Sequence, residues 1–143
     1  MSEPRVGALV AQKYELMALL GQGGMGRVFQ ARHVVTGRLV AVKMVRSDGA
    51  RPEEVRRRFE REARAIGRIE HPHVVEVLDA GIDDATSSPY IVQTLLRGVS
   101  LRDYLTARGR IEPILAARIV APILRGLDAA HAGVAAMLIM QHA

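Results

Sequence analysis

The sequence predicts an α+β fold, an antiparallel sheet that carries a glycine-rich loop, with one helix packed on it and further helices after it. Three observations support this. Gly21-Gln22-Gly23-Gly24-Met25-Gly26 has the G-x-G-x-x-G spacing of a backbone that turns tightly and offers N–H groups to a phosphate with no Cβ in the way. Residues 14–20 and 27–33 on either side read as strands, and beyond the turn Thr36-Gly37 a β-branched run at 39–45 reads as a third. Val55, Phe59, Ile66 and Ile69 then recur at helical spacing. Strand, loop, strand, turn, strand is a meander. A dinucleotide-binding fold needs a helix directly after the third glycine and an acid about twenty residues on, so it is set aside.

Composition narrows the function. A chain of 143 residues makes one domain with a real core. It has no cysteine, so disulfides and thiolate metal sites are excluded, and its five His lack a metal-site spacing; no metal is expected. A reducing, cytoplasmic location fits this usage. The charge of +5 comes from 18 Arg and 2 Lys, with Arg and Glu interleaved along helices, which argues against nucleic acid as a partner. The apolar run at 8–11 is too short for a signal-peptide core and the C-terminal apolar region carries Arg118, Arg125 and Asp128, so no membrane span is expected. Residues 1–12 read as a leader.

Along the chain, Lys43 lies inside the apolar third strand and needs an anionic partner if buried. Pro52-Glu53-Glu54 opens a helix, with Pro at its first position and acids at the positive end of its dipole. Glu62 falls where the apolar stripe of that helix would be completed, which aims a carboxylate at the sheet and suggests a Lys43–Glu62 ion pair. Glu60, Arg61 and Arg64 lie off the stripe on a solvated face. Residues 74–81 and 89–95 read as two more strands around the polar turn 83–88. Ser100-Leu101-Arg102-Asp103 is a capping box opening a short helix that Gly109 closes. Residues 111–132 read as a long apolar helix with Leu115, Ile119, Ile123 and Leu127 on one face, kinked or broken at Pro122.

These residues together resemble the N-terminal lobe of a bacterial-type Ser/Thr protein kinase. The loop motif Gly21-x-Gly23-x-x-Gly26-x-Val28 is matched in full, and Val40-Ala41-Val42-Lys43 is similar to the family's V-A-I-K. Residues 59–75, with Glu62 and His71-Pro72-His73, resemble the αC helix and its exit turn, and the likeness covers about 12–133. The resemblance implies a five-stranded antiparallel sheet plus αC in a lobe at 13–98, then the helices αD and αE of a truncated C-lobe at 99–133, with an unrelated tail at 134–143. It implies ATP as ligand. The amides around Gly21, Gly23, Gly24 and Gly26 would cover the phosphates, Lys43 would contact the α- and β-phosphates, and Glu62 would hold Lys43. Leu20, Val28 and Ala41 would wall the adenine, the backbones of Thr94 and Leu96 would bond its edge, and Gln93, where the family more often has an apolar residue, would sit at the gate.

After Ala130-His131-Ala132-Gly133-Val134 the family runs into His-Arg-Asp, whose Asp accepts the substrate's hydroxyl proton, and on to an Asn and an Asp-Phe-Gly that hold Mg²⁺. This chain reads Ala135-Ala136-Met137-Leu138-Ile139-Met140-Gln141-His142-Ala143 instead, so it contains neither base nor metal ligands. The expectation is therefore an ATP-binding member of the Ser/Thr kinase family that is inactive alone, with Mg²⁺ engaged only in a complete kinase. Two alternatives stay open: a non-catalytic interaction module that takes a protein partner through the apolar 111–143 segment, and a non-functional truncated gene product.

Overall fold

The computed structural model describes residues 4–23, 26–45 and 52–132 and, within them, all side chains but those of Pro52, Val55, Arg58, Glu62 and Ala65. Among the described residues, six strands form one antiparallel sheet: β1 (Leu9–Val10), β2 (Tyr14–Gly23), β3 (Gly26–His33), β4 (Leu39–Val45), β5 (Val77–Asp83) and β6 (Ser88–Thr94), laid side by side as β1-β2-β3-β4-β6-β5. Helix α1 (Pro52–Ile66) comes between β4 and β5, and α2 (Leu101–Arg108) and α3 (Pro113–Ala132) follow the sheet.

The strands form where side chains alternate between two useful environments. In β4, Val40, Val42 and Met44 are buried while Ala41, Lys43 and Val45 are half-buried on the opposite face. The first set packs with Leu16, Phe29, Ala31, Tyr90 and Val92 into the core, each large side chain contributing about 1.5–3 kcal/mol by leaving water. α1 starts at Pro52, as the first-turn residues require, and its Phe59 is buried. α2 is capped as expected: the Asp103 amide donates to Ser100 Oγ at 3.1 Å, and the Gly109 amide donates to the Leu105 carbonyl at 2.7 Å.

The architecture departs from expectation in two places. The sheet has six strands rather than five, because residues assigned to a leader supply β1, which pairs Leu9 with Glu15 and Val10 with Tyr14. The reason lies far off in sequence. Asp83, 3% exposed, accepts the Ala11 amide at 2.9 Å, and its second oxygen accepts the Thr86 amide and hydroxyl at 3.0 and 2.7 Å. Asp79 on β5 likewise accepts the Tyr14 hydroxyl at 2.9 Å and the Lys13 ammonium at 3.4 Å, so both ends of the curled sheet are laced together.

The other departure concerns α3, which runs on through Pro122 as one helix without a break. The face it buries is made of small residues, Gly126 and Ala130, whereas Leu115 and Ile123 remain 39% and 45% exposed. Close approach decides this. A Cβ on Gly126 would stand 3.0 Å from the His73 carbonyl oxygen and 3.3 Å from Val74 Cγ2, so a bulkier face could not seat against that turn.

Candidate functional site

The glycine-rich loop is the tip of the β2–β3 hairpin. Gly23 pairs with Gly26, Gln22 with Arg27 and Gly21 with Val28. Gly24 lies outside the described residues. The glycines divide by what the fold asks of them. Gly26 has φ 137°, and a Cβ there would collide with the Met44 carbonyl oxygen while standing 3.0 Å from its carbon and 3.2 Å from Val45 Cα; the hairpin lies too close to β4 for a side chain. At Gly21 and Gly23 an added Cβ meets nothing within 4 Å, and neither backbone is left-handed. Packing among the described residues gives no reason for glycine at those two positions.

Register carries the loop's neighbourhood across the sheet. Directly opposed residues of an antiparallel pair share a face, so Gly21, Val28, Lys43, Ile91 and Ala80 form one transverse row, and Ala18, Gln30, Ala41, Gln93 and Val77 the next. Both rows lie on the face away from the Phe29–Val42–Val92 core. Lys43 therefore sits across from Val28, one row from Ala41. It is half-buried, and burial holds its ammonium below the ordinary lysine range because desolvation disfavours the charged form. Glu62 belongs to α1, which packs over β5 and β6; its side chain, and with it the expected ion pair, lies outside the described residues.

At the far end of the rows β6 ends at Thr94. The Thr94 amide donates to the Glu76 carbonyl at 3.1 Å, and Leu96, beyond the strand, is 68% exposed. Leu20 lies at an irregularity of the β2–β3 pairing and is 52% exposed. The structure thus gathers Gly21, Val28, Ala41, Lys43 and Gln93 on one side of the sheet, with Leu20 and Gly23 along its loop edge and Thr94 and Leu96 at the strand end. Among the described residues, no three His, Asp or Glu side chains converge as a metal site, and no helix is long and apolar enough to cross a membrane.

A model of the protein kinase domain matches residues 14–136. The chain belongs to the protein kinase family. Its relatives are bacterial Ser/Thr kinases. The probable serine/threonine-protein kinase PknB of Corynebacterium glutamicum is 45% identical over 125 residues, covering 86% of this chain and 19% of that protein. The serine/threonine-protein kinase PrkC of Bacillus subtilis is 34% identical over 126 residues, covering 88% of this chain and 19% of that one. The crystal structure of the PknI kinase domain of Mycobacterium tuberculosis superposes with a TM-score of 0.75 at 29% identity, covering 90% of this chain and 51% of that one. The kinase-like fold expected from the glycine loop, the lysine strand and α1 is therefore the fold observed. The chain spans about a fifth of the length of these curated relatives and about half of that solved domain.

Sequence reasoning missed the groups that hold this kinase lobe's strands in place. Asp79, Asp83 and Tyr14 each act through a partner more than sixty residues away, a separation that leaves no periodic trace. Arg27, whose Nη1 donates to the Pro4 carbonyl at 3.2 Å, meets its partner 23 residues away, also beyond any periodic spacing.

Proposed function

We propose that the chain carries the nucleotide-holding half of a bacterial Ser/Thr protein kinase and binds ATP along the Gly21–Lys43–Gln93 side of its sheet. The observation that supports this most is the division among the glycines: Gly26 is demanded by the fold, whereas Gly21 and Gly23 face open space and are explained by a ligand that needs bare backbone. The amides of the hairpin tip cradle the phosphates, a task suited to N–H groups that no side chain shields. Lys43 neutralises the α- and β-phosphates; an anion beside it favours the charged form, which burial disfavours. Val28 and Ala41, with Leu20, cover the adenine. The Thr94 amide is already spent on Glu76, so Thr94 contributes its carbonyl oxygen and Leu96 its backbone. Glu62 holds Lys43 from α1.

Phosphoryl transfer to protein Ser or Thr is the activity of the complete kinase. The sequence brings no His-Arg-Asp base for the substrate hydroxyl and no Asp-Phe-Gly for Mg²⁺, and among the described residues no donor set fits that metal. The chain alone is expected to bind ATP without turning it over, in the cytoplasm. Titration calorimetry of ATP into the chain tests this. Wild type binds and Lys43→Met binds at least about tenfold more weakly, a loss of roughly 1.4 kcal/mol; equal heats for both would remove Lys43 from the site.

A second reading has one observation in its favour. Ile114, Leu124, Val120 and Ile123 of α3 are 73%, 58%, 45% and 45% exposed, an apolar surface that suits a protein partner for the 111–143 segment, of which 133–143 lie outside the described residues.

A further inference from the structure

The hairpin that bears the glycines is poorly supported on its outer edge. β1 pairs with β2 at Tyr14 and Glu15, and the Gly7 amide and Ala8 carbonyl extend the contact to Leu16, bonding its carbonyl at 2.7 Å and its amide at 2.9 Å. Beyond Leu16 the β2 side chains are exposed, and the β2–β3 ladder is irregular at two places, between Leu16 and Ala18 and between Leu19 and Gly21. The tip is therefore carried mainly by β3 lying on β4.

A contact from the N-terminal segment reaches that tip. Arg27 follows Gly26 directly and shares a face with Phe29 and Ala31, so its side chain leaves the sheet on the side opposite Val28 and Lys43. There its Nη1 donates to the Pro4 carbonyl at 3.2 Å. The Ala8 amide, bonded to the Arg5 carbonyl at 3.0 Å, folds the segment back between that point and β1. At its other end the segment is fixed by buried Val10 and by the Ala11–Asp83 bond. Residues 4–11 thus span from the back of the glycine hairpin to the β5–β6 turn, and they lie ahead of the stretch that the kinase family model matches.

We infer that residues 4–11 form a strap on the back of the glycine hairpin, with Arg27 as its clasp, and that the strap sets how firmly the loop is held for phosphate. Arg27 is a positioning residue: it acts on the ligand through the backbone of its own strand. The idea rests on the nucleotide reading above, but its first test needs no nucleotide. Hydrogen exchange is measured on the free full chain, on Arg27→Ala, on a chain lacking residues 1–4, and on the two changes combined. Either change speeds exchange in residues 17–23 and 26–30 about two- to tenfold, the range set by losing one hydrogen bond, while β4 and β6 keep their rates. The combined variant exchanges no faster than Arg27→Ala alone, since the truncation breaks a contact that the substitution has already removed.

Affinity supplies the second test. Each variant weakens ATP by a similar factor and leaves adenosine unchanged. Additive effects in the combined variant, unchanged hairpin exchange, or equal weakening of ATP and adenosine would overturn the strap. A wild-type chain that ignores ATP would overturn the functional reading instead, and the exchange pattern would then decide the strap alone.

Discussion

Replacing Asp83 with alanine tests whether the first dozen residues are part of the lobe. The carboxylate is 3% exposed and accepts three hydrogen bonds, from the Ala11 amide at 2.9 Å, the Thr86 amide at 3.0 Å and the Thr86 hydroxyl at 2.7 Å. A bond to a charged acceptor contributes about 1.5–3 kcal/mol, but all three donors are half-buried and regain some water when the acceptor goes. Removing the charge also relieves its own desolvation. The balance is a loss of about 2–4 kcal/mol, a large share of the roughly 5–15 kcal/mol that holds a domain together. Asp83→Asn keeps one acceptor oxygen and turns an NH₂ toward the other donors, so it loses about half as much. Urea unfolding followed by far-ultraviolet circular dichroism reads both values, with an unchanged slope as the sign that only stability moved. A loss below about 1 kcal/mol for Asp83→Ala would mean that the Ala11 contact is incidental and that β1 is held by its edge pairing alone.

Further outcomes follow from single residues. Burial and the Asp79 carboxylate push the Tyr14 hydroxyl well above the ordinary tyrosine value, so above about pH 10 the unfolded chain loses a proton that the folded one keeps, and stability falls as pH rises. Tyr14→Phe, costing about 1 kcal/mol at neutral pH, flattens that alkaline limb; parallel curves for the two proteins would refute the assignment. Gly26→Ala forces a side chain against the Met44 carbonyl at a left-handed φ and lowers stability by about 2–4 kcal/mol, read from the urea midpoint. Pro122→Ala restores an amide inside a helix that is already continuous, and raises the melting temperature by the equivalent of about 1–3 kcal/mol.

Local chemistry made much of this fold readable from its residues. The alternation in Leu39-Val40-Ala41-Val42-Lys43-Met44-Val45 marks both faces of β4, and its bounds agree with the strand observed. Pro52 with two acids announces the start of α1, and Ser100 with Asp103 the start of α2. These signals lie within a few residues of the structure they create. β1 has no such signal: two residues, Leu9 and Val10, are a strand only because Tyr14 and Glu15 offer an edge and Asp83, 72 residues away from Ala11, ties down the turn. The turn itself places Ala11 and Gln12 at φ 50° and 57°, a conformation that neither residue advertises. The small face that α3 buries carries no signal either, because large apolar side chains mark burial in general, whereas this helix meets a backbone at close range at Gly126.

Of the site, the sequence showed which residues could matter, and the register showed which share a face. Gly21, Val28, Ala41, Lys43 and Gln93 fall into neighbouring transverse rows once β3, β4 and β6 are aligned, an arrangement that no pairwise spacing reveals. That some of the glycines serve the fold and others do not was equally invisible, since it depends on how near β4 comes to the hairpin.

The central claim, that the loop exists to hold phosphate, is tested most directly by Gly23→Val. A melting curve and an ATP titration on the same sample give both numbers needed. The fold has room for the side chain, since nothing stands within 4 Å of its Cβ, and valine favours a strand, so the melting temperature stays level or rises. ATP binding falls by about tenfold or more, because the new side chain occupies the space over the amides. An unchanged affinity would contradict the account, as would a melting temperature that falls in step with it.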